Sequence, residues 1–279
     1  MKIMDLNLFQ KFREDLFDRY IGLLGVAKRR PGVNALVELV SAHQTHVPFE
    51  NISKLYYRKH LGLKSLPDIN TYLDGIEQYH FGGTCFSNNY YFHLLLANLG
   101  YKVRLCGADM NNVDAHMASL VEIEGREFLI DVGYAAPFLS PLPRDIKIDY
   151  SIILGRDRYV LKPQDGNGRS RLELYRDGVL KHGYLAKPDF KTIDDFSITD
   201  SFGEDATFMN ALLLARFFPN RSIVIHNLTV TESQGSKSRR YFLKDRAELG
   251  RTVEDLFGIP EHIVMEAVSE LRNLNDPWN

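Results

Sequence analysis

Cys85 follows Gly82-Gly83-Thr84 and precedes the largely apolar run Tyr90 to Leu99, which stops at Gly100. That pattern predicts a helix with Thr84 as its N-cap and Gly100 just past its end. A cysteine in the first turn sits beside backbone N–H groups that lack intrahelical partners, at the positive end of the helix dipole. Both favour thiolate over thiol. Gly82 and Gly83 permit a tight turn and predict open space where a substrate approaches the sulfur. Taken alone, such a cysteine is more often a small buried hydrophobe.

His116 and Asp131 change that weighting. They lie in two strand-like runs, 115–123 and 126–132, joined by Glu124-Gly125. A two-residue turn pairs Ile123 with Arg126, so facing residue numbers sum to 249 and Asp131 lies opposite Ala118. Side chains alternate with period two, so His116 and Ala118 share a face and Asp131 stands one diagonal step from His116. Diagonal neighbours lie about 7–8 Å apart between backbones, within reach of an imidazole–carboxylate hydrogen bond. A one-residue slip would put the pair on opposite faces. The three residues then form a nucleophile, a base and an orienter: His116 takes the thiol proton, and Asp131 fixes its tautomer and stabilises the imidazolium. Peptidases and transglutaminases use the same Cys-His-Asp order, so order alone leaves the reaction open.

The segment Gly82-Gly83-Thr84-Cys85-Phe86 with Asn89, followed by His116 and by Leu129-Ile130-Asp131-Val132-Gly133-Tyr134, resembles the arylamine N-acetyltransferases. The upstream His46-Val47-Pro48-Phe49-Glu50-Asn51-Ile52 is similar to that family's Pro-Phe-Glu-Asn segment, and Phe208 through Arg216 and Leu256-Phe257-Gly258-Ile259 resemble its C-terminal region more weakly. Two positions depart from the pattern. The family usually has arginine before the double glycine and often glutamate two residues after the cysteine; here these are Phe81 and Ser87. Glu50 therefore lacks its usual partner, and His80 or another base is the candidate substitute.

The resemblance implies transfer of an acetyl group from acetyl-coenzyme A, a diffusible substrate and not a resident cofactor, to an arylamine, hydrazine or related amine. Cys85 would be acetylated first and His116 would assist proton transfer, which predicts ping-pong kinetics. The Cys85 backbone N–H is the candidate oxyanion donor. By family position, Val132, Gly133, Pro137 and Phe138 would lie near coenzyme A, and Phe49, Phe86 and Tyr134 would supply aromatic walls for the acceptor; core packing is the competing reading of those rings. The implied fold is α+β: an N-terminal helical bundle (1–100) carrying the nucleophile, a central antiparallel β-barrel-like domain (101–200) carrying His116 and Asp131, and a C-terminal α/β lid (201–279), around a papain/transglutaminase-like Cys-His-Asp core. A related amide synthase, a thiol hydrolase, and a binding protein that has lost activity remain alternatives.

The rest of the chain bounds these readings. Its 279 residues suffice for a substantial core, and 34 basic against 36 acidic residues give no bulk electrostatic case for nucleic acid or an anionic membrane. Two cysteines, Cys85 and Cys106, imply no disulfide framework and point to a reducing cytoplasm. Cys106 reads as structural, on a strand. Met1 to Leu6 carry an acid and no sustained apolar segment, against a secretory signal; no apolar run approaches the ~20 residues that span a bilayer. His43 and His46 lack partner ligands for zinc, so no metal is expected. Apolar spacing predicts helices over Leu8 to Ile21, Asn34 to His46 and Tyr72 to Tyr79, with Ser53 to Pro67 an irregular connector. Short alternating runs, among them Tyr159-Val160-Leu161 and Arg171 to Tyr175, predict a meander. Ala211 to Ala215 and Ser222 to Ile225 read as strands, Lys237-Ser238-Arg239-Arg240 as a solvated loop, with coenzyme A phosphates as a weaker use, and Val253 to Leu274 as one closing helix.

Overall fold

The computed structural model describes residues 15–271 and 274. The leader reading of Met1 to Leu6, the Leu8–Phe12 part of the first predicted helix, and most of the last turn before Leu274 lie outside the described residues.

The N-terminal part is helical: α1 (15–24), α2 (Val33–His46), α3 (Ile52–Leu61), α4 (Ile69–Tyr79) and α5 (Cys85–Asn98), with the two-residue strand β1 (Phe49–Glu50) between α2 and α3. Asp68 caps α4 by accepting from the N–H groups of Asn70 (2.9 Å) and Thr71 (3.1 Å), a device worth about 1 kcal/mol. Helix α5 begins at Cys85, with Thr84 as an extended N-cap whose hydroxyl makes no capping bond. It ends at Leu99, where Gly100 takes a positive φ of 87°, the conformation glycine adopts without penalty.

Eight antiparallel strands follow: β2 (Lys102–Asp109), β3 (His116–Ile123), β4 (Arg126–Ile130), β5 (Leu142–Pro143), β6 (Tyr150–Leu154), β7 (Asp157–Leu161), β8 (Ser170–Arg176) and β9 (Val179–Ala186). They form one curled sheet in the order β5-β4-β3-β2-β9-β8-β7-β6. The β3–β4 hairpin has the expected register, with Ser119 opposite Ile130 and Leu120 opposite Leu129, because Glu124 and Gly125 both take positive φ (53° and 76°) in a two-residue turn.

The remaining strands, β10 (Leu213–Phe218), β11 (Arg221–His226), β12 (Thr229–Gln234) and β13 (Lys237–Phe242), join β1 in a second antiparallel sheet ordered β1-β10-β11-β12-β13. The short α6 (Thr207–Asn210) precedes it, and α7 (Arg246–Phe257) and α8 (Glu261–Val268) follow.

Three apolar clusters hold these layers together. Phe92, Leu95 and Leu96 of α5 pack with α1, α2 and α4, and with Val121, Phe128 and Ile130 of the β3–β4 hairpin. Leu120, Leu129, Tyr159, Leu172 and Tyr184 fill the concave side of the curled sheet. Ile52 and Leu55 of α3 pack with Leu214, Ile225, Phe257 and Val264 of the second sheet and its helices.

Four sequence expectations need correction. Ser53 to Pro67 is mostly helix α3, ending at Gly62 (φ 63°); Ile52 and Leu55 bury the face that the glycine and proline signals obscured. The closing helix is two helices, broken where Gly258 (φ 80°) and Pro260 interrupt it. The strand read at Ala211 begins at Leu213, since the Ala211 N–H still bonds to the turn of α6. Lys237 to Arg240 is the exposed edge strand β13, where basic side chains discourage pairing with another chain.

Candidate active site

Cys85 is the first residue of α5, and the packing of Phe92 and Leu95 against the hairpin aims that helix end at the β3 base. His116 opens β3, and Asp131 is the first residue beyond β4. The His116 Nε2 and Asp131 Oδ2 atoms are 2.8 Å apart, with both side chains almost wholly buried. Cys85 is close enough to the imidazole to help raise its pKa. The diagonal placement inferred from the two-residue turn is thus the geometry of the pair.

Electrostatics follow from this packing. Burial by itself lowers the pKa of His116, but the Asp131 charge and hydrogen bond, together with Cys85, reverse that and raise it. Burial likewise raises Asp131, and the His116 charge with the hydrogen bonds from His116 and Asn89 outweighs it, so the carboxyl is held below its usual range. A charged imidazolium–carboxylate pair results, with the thiol beside it. The other cysteine, Cys106, is fully buried in β2 and burial pushes it up to about 12.

Asn89, one turn along α5 from Cys85, joins the helix to both catalytic strands. Its Nδ2 donates to the Met117 carbonyl (2.6 Å) and to Asp131 Oδ1 (2.8 Å). Its Oδ1 accepts from the N–H groups of Val132 (2.9 Å) and Gly133 (3.1 Å). One amide therefore fixes the orienting carboxylate and the chain after it. Gln44 Nε2 adds a bond to the Asp131 carbonyl at 3.4 Å, and the Tyr184 ring packs against His116 with centroids 5.0 Å apart. Asn89 belonged to the motif, but its place one turn from Cys85 gave only its face; its four bonds depend on the helix-to-hairpin packing.

The double glycine is closely packed, and Gly82 also lines the cleft that includes Thr84 and Phe86. A Cβ on Gly82 would lie 1.9 Å from the Pro48 carbonyl oxygen, and one on Gly83 would lie 2.1 Å from Ser87 Oγ. Residues 82–83 run beside β1: Phe49 bridges to Gly83, and the Glu50 N–H donates to the Gly83 carbonyl at 3.0 Å. Buried Glu50 accepts from the N–H groups of Gly82 (3.0 Å) and Ser53 (2.8 Å). Burial raises its pKa, and no described cation lies within 4.0 Å. His80 is not its substitute partner: it closes α4 in the left-handed conformation, against Gly258.

The other expected site residues fall as follows. Gly133 presses on the nucleophile, since a Cβ there would lie 2.8 Å from Cys85 Cα. Val132 joins the core under α5. Tyr134 stacks on Phe138, meets the His116 ring edge-on at 5.6 Å and shares a hydrogen bond with His182. Phe138 is buried in the curled sheet, and Pro137 is buried beside it. Phe49 packs edge-on to Phe208. Phe86 packs edge-on to Phe196 and also lines a narrow cleft with Lys54, Gly82, Thr84, Ser201 and Phe202. Lys54 had no signal in the sequence that set it apart from other lysines. Among the described residues no three His, Cys, Asp or Glu side chains are grouped to hold a metal, and no helix is long and apolar enough to cross a membrane. Buried His43 bonds Tyr20 through Nε2 at 3.0 Å, and His46 Nδ1 bonds the Ala42 carbonyl at 2.8 Å.

A cysteine at a helix start, with a buried His–Asp pair on an adjoining hairpin, is an arrangement that could serve as nucleophile, base and orienter. A profile of the N-acetyltransferase family matches residues 32–263, and the chain belongs to the arylamine N-acetyltransferase family. The arylamine N-acetyltransferase of Salmonella typhimurium has the same fold, with a TM-score of 0.76 at 20% identity over 91% of this chain and 98% of that one. A Mycobacterium marinum arylamine N-acetyltransferase in complex with CoA gives 0.75 at 20% identity over 91% and 99%. Curated relatives match over shorter stretches. Proansamycin X synthase of Amycolatopsis mediterranei is 29% identical over 39% of this chain and 45% of its own length. The chicken pineal isozyme NAT-3 is 28% identical over 44% and 43%. The chain thus spans less than half the length of the curated relatives it matches.

Proposed function

We propose that this protein transfers an acetyl group from acetyl-coenzyme A to an arylamine, hydrazine or related amine through an acetyl-Cys85 intermediate. The observation that carries the reading is the buried His116–Asp131 pair at 2.8 Å beside Cys85 at the start of α5. The imidazolium favours the thiolate, which attacks the thioester carbonyl; the C–S bond to coenzyme A breaks as the imidazolium gives its proton to the departing sulfur, and the acyl group rests on Cys85. The Cys85 N–H, free of an intrahelical partner at the helix start, faces the developing oxyanion. The amine then attacks the acetyl-cysteine, His116 accepts its proton, and the amide leaves. Because one sulfur serves both substrates in turn, ping-pong kinetics are expected. The CoA complex of a structural neighbour supports coenzyme A as the carrier.

The Cys-His-Asp arrangement is read as the papain/transglutaminase type, with Val132, Gly133, Pro137 and Phe138 on the coenzyme A side and Phe49, Phe86 and Tyr134 as aromatic walls. Residues 1–100, 101–200 and 201–279 are the proposed divisions, and a cytoplasmic setting suits the free thiol. A second reading keeps the triad and loads a different acyl chain; the match to Proansamycin X synthase favours it over hydrolysis. Intact-protein mass after brief incubation with acetyl-coenzyme A tests both. A gain of one acetyl group, absent in Cys85→Ser and discharged by an arylamine, is expected; no adduct and no released coenzyme A would overturn acetyl transfer.

A further inference from the structure

The mechanism leaves one buried amine unused. Lys54, in the first turn of α3, is only 7% exposed. Its ammonium donates to Ser201 Oγ at 2.9 Å and sits 4.1 Å from the centre of the Phe202 ring. Among the described residues no carboxylate lies within 4.0 Å of it, and none of those lining the narrow cleft around it is acidic. A buried lysine with one neutral acceptor is rare, because desolvation is costly unless a counter-charge offsets it. The amine also lies in the nucleophile's neighbourhood. Thr84 and Phe86, on either side of Cys85, line the same cleft, and Phe202 and Cys85 both pack against the apolar cluster of Phe86 and Phe196.

Burial lowers the Lys54 pKa to about 8, the Cys85 charge acts in the opposite direction, and Arg58 adds to the lowering. At pH 7 about one molecule in ten then carries the free amine, against roughly one in 2,500 for an ordinary lysine. Acylation of Cys85 removes the thiolate that favoured the ammonium, so the amine is freed further just as an acyl group stands beside it. Being tethered, it needs no room for a second substrate, and nucleophile and acyl carrier meet at a high effective concentration.

We propose that Lys54 is a self-acylation site: when no external amine is present, the acetyl group passes from Cys85 Sγ to Lys54 Nζ and remains in the cleft as an acetyl-lysine. The ammonium first gives one proton to solvent. The Nζ lone pair then attacks the thioester carbonyl, a C–N bond forms, and the C–S bond to Cys85 breaks. His116 takes the remaining Nζ proton, which restores the thiolate–imidazolium pair. No further reactant is consumed, and an amide replaces a thioester, so the step runs downhill. The product also removes a buried charge that had no ionic partner. This inference rests on the acyl-transfer reading.

The test is incubation with acetyl-coenzyme A for hours without any amine, followed by hydroxylamine, which strips thioester-bound acetyl groups and spares amides. Intact mass and peptide mapping then locate what remains. A hydroxylamine-stable acetyl group on Lys54 is expected, at least about tenfold more abundant than in Cys85→Ser, with a labile Cys85 adduct preceding it. In Lys54→Arg the labile adduct should form and the stable one should not, and the labile adduct itself reports that the variant is folded. Equal acetylation of Lys54 in Cys85→Ser, or a labile adduct that never passes to Lys54, overturns the proposal. Para-nitrophenyl acetate, which acylates thiolates without coenzyme A, separates the two readings. Transfer from Cys85 to Lys54 with this ester but not with acetyl-coenzyme A would defeat the proposed activity and leave self-acylation standing; labile Cys85 adducts from both donors, with Lys54 unmodified, would sink self-acylation alone.

Discussion

Asp131→Asn isolates the charge that holds His116 protonated. The substitution preserves the shape of the side chain and an oxygen facing Nε2, now 2.8 Å from Asp131 Oδ2. It removes the charge. Two unit charges about 4 Å apart contribute about 4 kcal/mol at an effective dielectric of about 20, and the retained amide contact recovers part of this. A net loss of about 2–3 kcal/mol corresponds to about a hundredfold in the population of imidazolium beside the thiolate. That brings His116 down by about two pH units from about 10, so the imidazolium is lost at lower pH than in the wild type and its pairing with the thiolate is weaker. Thiol alkylation by iodoacetamide, followed by intact mass, reads the change directly. The wild-type rate should stay high on descending well below pH 8, because the raised His116 pKa keeps the imidazolium in place. At pH 7 the variant's rate should fall by as much as about a hundredfold, the factor by which the thiolate–imidazolium pair is weakened. Superimposable profiles would refute the argument that Asp131 activates Cys85 through His116.

Gly133→Ala places a Cβ 2.7 Å from the Cys85 carbonyl oxygen and 2.8 Å from its Cα. Both are backbone atoms that yield little, so we expect a loss of about 1–3 kcal/mol in stability, read as a lower Tm, with slower Cys85 alkylation. Cys106, buried and pushed up to about 12, should stay unmodified at neutral pH: native protein takes up one alkyl group by mass, denatured protein two.

The catalytic pair was legible because hairpin register obeys a short rule. Glu124-Gly125 sets a two-residue turn, the facing numbers sum to 249, and the diagonal from His116 to Asp131 follows without any tertiary information. Cys106 was legible for the same kind of reason, from the alternation of its strand. Helix α3 was not, because its apolar residues Ile52 and Leu55 meet partners about 160–215 positions away, Leu214 and Val264 among them, while nearby Gly62 and Pro67 spoke only of chain breaks. The double glycine was legible only in part, for a related reason. Absence of a side chain marks close approach, but whether substrate or backbone approaches depends on where Pro48 and Ser87 lie. Lys54 is a further case: the cleft that makes it unusual is built from α3, the segment before α5, and Ser201-Phe202, and no local pattern in 50–60 distinguishes it from an exposed helical lysine.

The junction around β1 bears on how the molecule comes to exist. Asn51 Nδ2 donates to the carbonyls of Phe208 and Ala211, both at 2.8 Å, and Asn51 Oδ1 accepts from the Leu213 N–H at 2.9 Å. Phe49 and Glu50 pair with Ala215 and Leu214, and on their other side brace the glycines that lead into Cys85. During synthesis Cys85, His116 and Asp131 have all left the ribosome long before residues 208–215 appear. The brace behind the Cys85 turn therefore forms late, and a growing chain carries an unfinished thiol site for much of its translation.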